Sequence, residues 1–425
     1  MQEKDEEAPA GGEAAAGSRG MSADDDGAEA PVLSRAVAAA RCSGYEVEEV
    51  REAVRELLAP LGGMSAFVRP GERIALKPNM LMAAAPERAI TTHPAVLAAV
   101  ALEVREAGAE PVVVEGSGAG VLHLAAVLER SFRAVGYREV ADRYGFELST
   151  DTAWETVSNP DAVWAKRLDL MSPILRVDGV INLPKLKTHM YMTLSGATKN
   201  LFGVIPGLNK AAFHGKLPEP QRFADMLLDL AYFVRPRLHL VDAITAMEGN
   251  GPGTGGRPRH LGVLLAGPDA TTVDVACCRI TGLPTAAVPT LVAAKERGFW
   301  SGRDEEVETI GVHLAQLAVH DFLRPGPYDG IGVGTGGILD EPLRWILHRF
   351  NRKPRPKKDR CTLCGVCRRV CPNQAITLDT RAKVAVVDDS RCIRCYCCHE
   401  MCEQAAIDLE YSGLGRLANY MGLVK

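Results

Sequence analysis

The chain has 425 residues and a net charge of −4, too long for one ordinary core, so two domains with tails are expected. Hydrophobic residues make up 47%, charged residues 24% and aromatics only 5%, while Gly and Pro number 41 and 26; this favours a turn-rich α/β chain over a β sandwich. No dense basic stripe with interleaved aromatics, no long apolar run and no apolar leader occurs, so nucleic acid, a membrane span and secretion are not expected and the cytoplasm is the default.

Residues 1–30 hold nine acids and two bases, hence −7, and the remaining chain is +3. With almost nothing to bury, this acidic tail is expected to be disordered. An α/β domain is expected over 31–350, read from alternating strands and helices. RIALK (73–77) predicts a short strand. PAVLAAVALEVREAG (94–108) predicts a helix, with Pro94 in its first turn and Gly108 as its stop. His93, beside Pro94, is expected to cap or pack. PVVVEG (111–116) predicts a buried strand running into GSGAG and another helix. GVINLP (179–184), RLHLVDA (237–243) and LGVLLAG (261–267) predict further strands, and a helix should follow over about 270–280. Such alternation implies a mostly parallel sheet flanked by helices. Cys42, Cys277 and Cys278 sit in apolar surroundings and read as core thiols. The basic, Pro-containing stretch at 351–359 reads as a linker. A cysteine-rich unit follows over 360–411, and 412–425 is left as a tail.

Nine of the twelve cysteines fall between Cys361 and Cys402. Cys361, Cys364, Cys367 and Cys371 follow the spacing C-x2-C-x2-C-x3-C, with Pro372 next. Cys392, Cys395, Cys398 and Cys402 repeat that spacing at an offset of 31, which also maps Ile376 onto Ile407 and Leu378 onto Leu409. In a reducing compartment this crowding indicates metal rather than disulfides. Three thiolates at such spacing wrap three corners of an iron–sulfur cube, and the fourth is carried away to the other cluster. One [4Fe–4S] cluster is therefore assigned to Cys361, Cys364, Cys367 and Cys402, and a second to Cys392, Cys395, Cys398 and Cys371. Paired zinc sites rarely show these consecutive spacings. Glu403 stands where the second motif would have Pro, and Cys397 is an additional thiol. The unit resembles the bacterial two-cluster ferredoxins over about 360–409, with a hairpin expected at TRAKVAVVDDS.

Between 179 and 218 the chain has no Asp or Glu, yet it carries Lys185, Lys187, Lys199, Lys210, Lys216, His189 and His214. Ammonium groups placed together raise one another's cost unless an anion is present. Lys185, Lys187 and His189 follow the end of one predicted strand, and Lys77 and Asn79 end another; ligands of open α/β sheets bind there. With Lys199 and Asn200, these residues form the candidate site for a small anionic substrate. Glu248, in the glycine-rich run DAITAMEGNGPGTGG (242–256), and His189 are the acid/base candidates by residue type. GSGAG and GVGTGG (332–337) only weakly match a phosphate-binding turn.

LKPNM, TTHPAV, VEGSG, INLPKLKTHMYMTLSGATKNLFG, DAITAMEGNGPGTGG and GPDATTVDVA together resemble domain-of-unknown-function family 362, over about 76–282. The resemblance implies an iron–sulfur protein, often with a ferredoxin unit, but carries no reaction with it. Three functions stand open. One is an iron–sulfur redox enzyme delivering electrons from a partner protein to the bound anion. Another is a non-catalytic electron-transfer adaptor docking a redox partner through a lysine-rich face. Cluster storage or metal sensing is a third.

Overall fold

In the computed structural model, residues 35–118, 121, 123–326 and 352–411 are described. The acidic tail, GVGTGG and the C-terminal tail lie outside the described residues.

The core is a ten-stranded sheet. Its main path runs β12 (Thr309–Gly311), β1 (Val37–Arg41), β11 (Gly256–Gly267), β10 (Leu238–Gly249), β7 (Gly179–Leu183), β2 (Arg73–Pro78), β3 (Glu110–Val113) and β4 (Glu147–Leu148). β8 (Lys185–His189) and β9 (Thr193–Ser195) attach through β10, and β5 (Trp154–Ser158) and β6 (Arg167–Met171) form a separate ribbon. Only the pairs β1–β11, β10–β11 and β8–β9 of the main sheet are antiparallel; the others are parallel. The expected parallel α/β fold is therefore observed, with a long β10–β11 hairpin added.

The alternation of side chains explains why both faces are covered. On β2, Ile74 and Leu76 pack with Leu97 and Val100 of the helix Pro94–Glu106, while Ala75 packs with Phe223 and Leu227 of the helix Pro220–Val234. Successive residues of a strand point to opposite faces, so a strand buried on both sides is mostly apolar, and an exception such as Lys77 needs a partner inside the fold. His93 caps its helix as expected, its Nδ1 accepting from the Ala95 amide at 3.2 Å. Cys42, Cys277 and Cys278 are buried in the core.

The cysteine-rich unit has two antiparallel pairs, β13 (Lys353–Pro356) with β16 (Ile407–Glu410) and β14 (Ile376–Asp379) with β15 (Val384–Val387). The first pair corrects the linker reading: residues 353–356 are a strand of this unit. Lys353 pairs with Asp389, and Lys357 with Asp408 and Glu410, so bases that looked solvated are used to anchor it. The duplication extends to the backbone. Leu363, Gly365 and Gln374 have positive φ, and so do Arg394, Tyr396 and Ala405, each 31 residues on.

This unit sits against the sheet domain. Leu81 and Val121 pack into its core beside Cys367 and Met401. The glycine-rich loop between β10 and β11 lies on the turn that follows Cys398. Thr254 Oγ1 donates to the Cys402 carbonyl at 3.0 Å, and a methyl group at Gly253 would overlap the Glu400 carbonyl oxygen. The glycines are there because backbone approaches backbone.

Candidate functional site

β7 ends at Leu183, Pro184 interrupts it, and β8 resumes beside β10. Proline has no amide hydrogen for a ladder, so the strand is interrupted at Pro184 while its register on β10 is kept, Ile181 opposite Leu238 and Lys185 opposite Asp242. Lys185, Lys187 and His189 alternate along β8 onto one face, and all three are buried.

The lysines fall into two kinds. Lys77 Nζ meets Glu115 Oε2 at 2.7 Å and the Pro78 carbonyl at 2.7 Å. Lys185 Nζ meets Asp242 Oδ2 at 2.8 Å and the Tyr45 hydroxyl at 3.0 Å. Both pairs are closed and buried, which corrects their assignment to substrate binding: their charge is already matched inside the fold. Gly203 is close-packed on the first pair, where any side chain would collide with Lys77.

Lys187 and Lys199 have no carboxylate in ion-pair contact among the described residues. Lys187 Nζ donates to Asn79 Oδ1 at 2.6 Å and to the Ile90 carbonyl at 2.8 Å. Burial, then the charge of Lys199, pushes its ammonium well below the usual lysine range. Lys199 keeps a partial opening to solvent and lies 5.7 Å from the Phe202 ring centre. Burial lowers it too, and Glu400 and Cys397 partly offset this. Asn79 and Asn200 are spent on positioning. Asn79 Nδ2 donates to Asn200 Oδ1 at 2.9 Å, and Asn200 Nδ2 donates to Asn182 Oδ1 at 2.7 Å and the Lys77 carbonyl at 3.1 Å. This amide chain fixes the oxygen that holds Lys187.

His189 Nδ1 accepts from the backbone amides of Tyr191 at 3.1 Å and Met192 at 3.4 Å. A neutral imidazole then carries its proton on Nε2. Burial, followed by Lys199, His214 and Lys187, holds the ring well below the ordinary histidine range, so it is neutral. Among the described residues its Nε2 has no hydrogen-bond partner and stands 3.5 Å from Glu400 Oε1, which has none either. Glu400 is pushed up to about 7 by burial, against the pull of Lys199 and Lys187. Lys210 and His214 complete the group. Lys210 Nζ donates to the Ser117 carbonyl at 2.8 Å, and burial lowers it to about 7. His214 stacks on Phe223 with ring centres 4.4 Å apart.

Glu248 is corrected. Its Oε1 accepts from Arg257 Nε at 2.7 Å and its Oε2 from the Leu323 amide at 3.0 Å, so it pins the β10–β11 hairpin instead of facing the lysines. The carboxylate beside His189 is Glu400. No sequence signal marked Glu400, because it lies in the x3 gap between Cys398 and Cys402, on the other domain. Lys210 and His214 were visible as members of the acid-free segment.

The eight motif thiols form two neighbourhoods. Cys367 has Cys364, Cys402 and Cys361 as charged neighbours, and Cys402 has Cys364 and Cys361. Cys371 has Cys395 and Cys392. A cavity is lined by Cys371, Cys392, Cys395 and Cys398 together. The fourth thiol of each motif thus stands with the other motif's three. Matching amides point at these crossing sulfurs, Ala375 N to Cys371 Sγ at 3.1 Å and Ala406 N to Cys402 Sγ at 3.2 Å. Amide donors stabilise sulfur as thiolate or cluster ligand, so the donor set fits an iron–sulfur group. No three His, Cys, Asp or Glu side chains among the described residues are arranged to hold a single metal ion. Cys397, the additional thiol, is buried.

Comparison with known proteins agrees with this division. Residues 74–279 match the family described as Domain of unknown function (DUF362), and residues 355–377 match the 4Fe-4S binding domain. The Thylakoid-associated protein sll1697 of Synechocystis sp. (strain ATCC 27184 / PCC 6803 / Kazusa) is 34% identical over 325 residues, covering 76% of this chain and 98% of that one. Among solved structures, the lactate racemase apoprotein from Thermoanaerobacterium thermosaccharolyticum is 11% identical with a TM-score of 0.36, over 59% of this chain and 58% of that one, less than two thirds of its length. A protein from Thermotoga maritima gives 11% and 0.34, over 55% and 58%. Likenesses this distant carry no functional argument. No helix among the described residues is long and apolar enough to cross a membrane.

Proposed function

This chain belongs to the DUF362 family and carries a 4Fe-4S binding domain, and from that premise we propose that it is an oxidoreductase holding two [4Fe–4S] clusters and reducing a small anionic substrate at Lys187 and Lys199. One observation carries the reading. The turn from Cys398 to Cys402 bears ligands of both thiol sets and also Glu400, 3.5 Å from His189. The route for electrons and the cationic site therefore share one tight turn.

Bound clusters would supply one-electron transfer. The chain's own residues do the rest. Burial disfavours the ammonium form of Lys187 and Lys199, and an anion arriving between them would restore it, so the two amines offer it hydrogen bonds and positive charge together. His189 Nε2 and Glu400 Oε1 face one another 3.5 Å apart, and this pair is the proton-exchanging group beside the anion. Burial excludes water and strengthens each of these interactions. Lys77 and Lys185, closed on their carboxylates, brace the site.

The adaptor reading has less support, because Lys77, Lys185 and Lys187 are buried and present no outward face. A reducing cytoplasm suits the eight thiols.

Anaerobically purified protein should contain about eight iron and eight sulfide per chain. Lys187→Ala and Lys199→Ala should retain that iron yet lose turnover against a panel of small acids supplied with reduced donor. Stoichiometric zinc without sulfide, or full turnover in both variants, would falsify the proposal.

A further inference from the structure

Resting on that reading, we propose that the exposed edge of the first thiol set, at Cys364, is the docking surface for an acidic one-electron carrier protein. Electrons enter there and leave through the second set towards His189.

The two sets differ in surroundings. Cys364 is the one exposed cysteine among the described residues. The second set exposes no thiol to the same degree, Cys398 being buried and Cys371, Cys392 and Cys395 half-buried, and Glu400 follows Cys398 in its turn, with Lys199 near Cys397. Residues 352–371 carry eight bases (Arg352, Lys353, Arg355, Lys357, Lys358, Arg360, Arg368 and Arg369) and one acid, Asp359. Several are consumed within the unit. Lys353 and Arg355 meet Asp389, Lys357 meets Asp408 and Glu410, and Arg360 meets Asp408 and Asp359. Lys358, Arg368 and Arg369 are exposed and have no ion pair among the described residues. Arg369 Nη1 donates to the Cys364 carbonyl at 3.4 Å, which puts its charge beside that residue. Glu403, exposed beside Cys402, is the acid that stands against these three.

Unpaired like charges around one exposed redox ligand steer a partner of opposite charge to that spot. An anionic membrane would meet the same charges. Residues 352–371, however, expose no large apolar side chain to insert, and Arg369 is held at Cys364 itself, which favours the protein carrier. The step is a single outer-sphere transfer. The reduced carrier would lose one electron to a cluster held by Cys361, Cys364, Cys367 and Cys402, with no bond or proton moving.

The test uses the holoprotein and its Lys358→Glu/Arg368→Glu/Arg369→Glu variant. The donors are reduced plant-type [2Fe–2S] ferredoxin, which is acidic, and a viologen bearing one sulfonate, whose reduced radical has no net charge. Anaerobic stopped-flow should show ferredoxin reducing the variant at least about tenfold more slowly at low salt, with the wild-type advantage shrinking as salt rises. The viologen should reduce both equally. Calorimetric binding of the same ferredoxin should weaken in parallel. If the viologen arm reveals lost iron, Arg368→Gln/Arg369→Gln takes the variant's place. Equal ferredoxin rates and affinities in variant and wild type, or rates indifferent to salt, overturn the proposal. So does charge-dependent pelleting with phosphatidylglycerol vesicles when ferredoxin ignores the same charges. Failure of wild-type protein to accept electrons from the viologen would instead count against the two-cluster reading, and ferredoxin binding then decides the docking by itself.

Discussion

Removing Glu115 should expose what Lys77 is for. In Glu115→Ala, Lys77 keeps only the Pro78 carbonyl at 2.7 Å, and the Gly116 amide loses its acceptor at 2.8 Å. Both partners are sealed, with side-chain exposures of 0% and 2%. Breaking such a pair costs about 3–5 kcal/mol. The loss has a ceiling, because the stranded ammonium can shed its proton. From an unfolded pKa of about 10.4, neutralising it at pH 7.5 costs about 4 kcal/mol, and at pH 9 about 2 kcal/mol. The folded variant then binds fewer protons than the unfolded chain, so its stability must rise with pH. Urea unfolding of wild type and variant at both pH values reads this directly. The double variant Lys77→Met/Glu115→Leu, which removes both charges, should recover most of the loss. A deficit below about 1 kcal/mol, one that does not shrink at pH 9, or a double variant as weak as the single would refute the view of Lys77 as a brace and return it to the substrate site.

Three further outcomes are expected. Cys402→Ala/Cys361→Ala should lose no more iron than either single variant, about four atoms, whereas Cys402→Ala/Cys392→Ala should lose about eight, since the crossing puts Cys402 with the first motif's three; iron analysis distinguishes them. Gly253→Ala drives a methyl into the Glu400 carbonyl oxygen, so thermal or urea unfolding should register a loss of about 1–3 kcal/mol. Gly249→Ala, with positive φ but open space around it, should cost about 1 kcal/mol through backbone strain and leave the turn after Cys398 undisturbed. His214, lowered to about 3 by burial and then by Lys199, stays neutral in the fold while the unfolded chain takes up a proton below about 6.5. Its stabilisation is complete above that pH and is lost towards acid, at up to about 1.4 kcal/mol per pH unit. His214→Phe should flatten the acid limb of the stability curve by that slope.

The sequence by itself determined the elements and the sulfur chemistry, because both depend on short-range rules. Strand and helix periodicity, the proline and glycine stops and the thiol spacing at an offset of 31 all act within a few tens of residues. The acid-free segment also announced an unusual electrostatic site. Which of its lysines are free was not legible. Lys77 is neutralised by Glu115 and Lys185 by Asp242, residues 38 and 57 positions away. Those partners meet only when neighbouring strands are placed in register. Glu248 looked like the acid of the loop, yet Arg257 across the hairpin claims it. Glu400 looked like filler between cysteines, yet docking of the second domain sets it against His189. Charge pairing and burial are properties of three-dimensional neighbourhood, and here folding across domains, not spacing along the chain, decides which charges remain for chemistry.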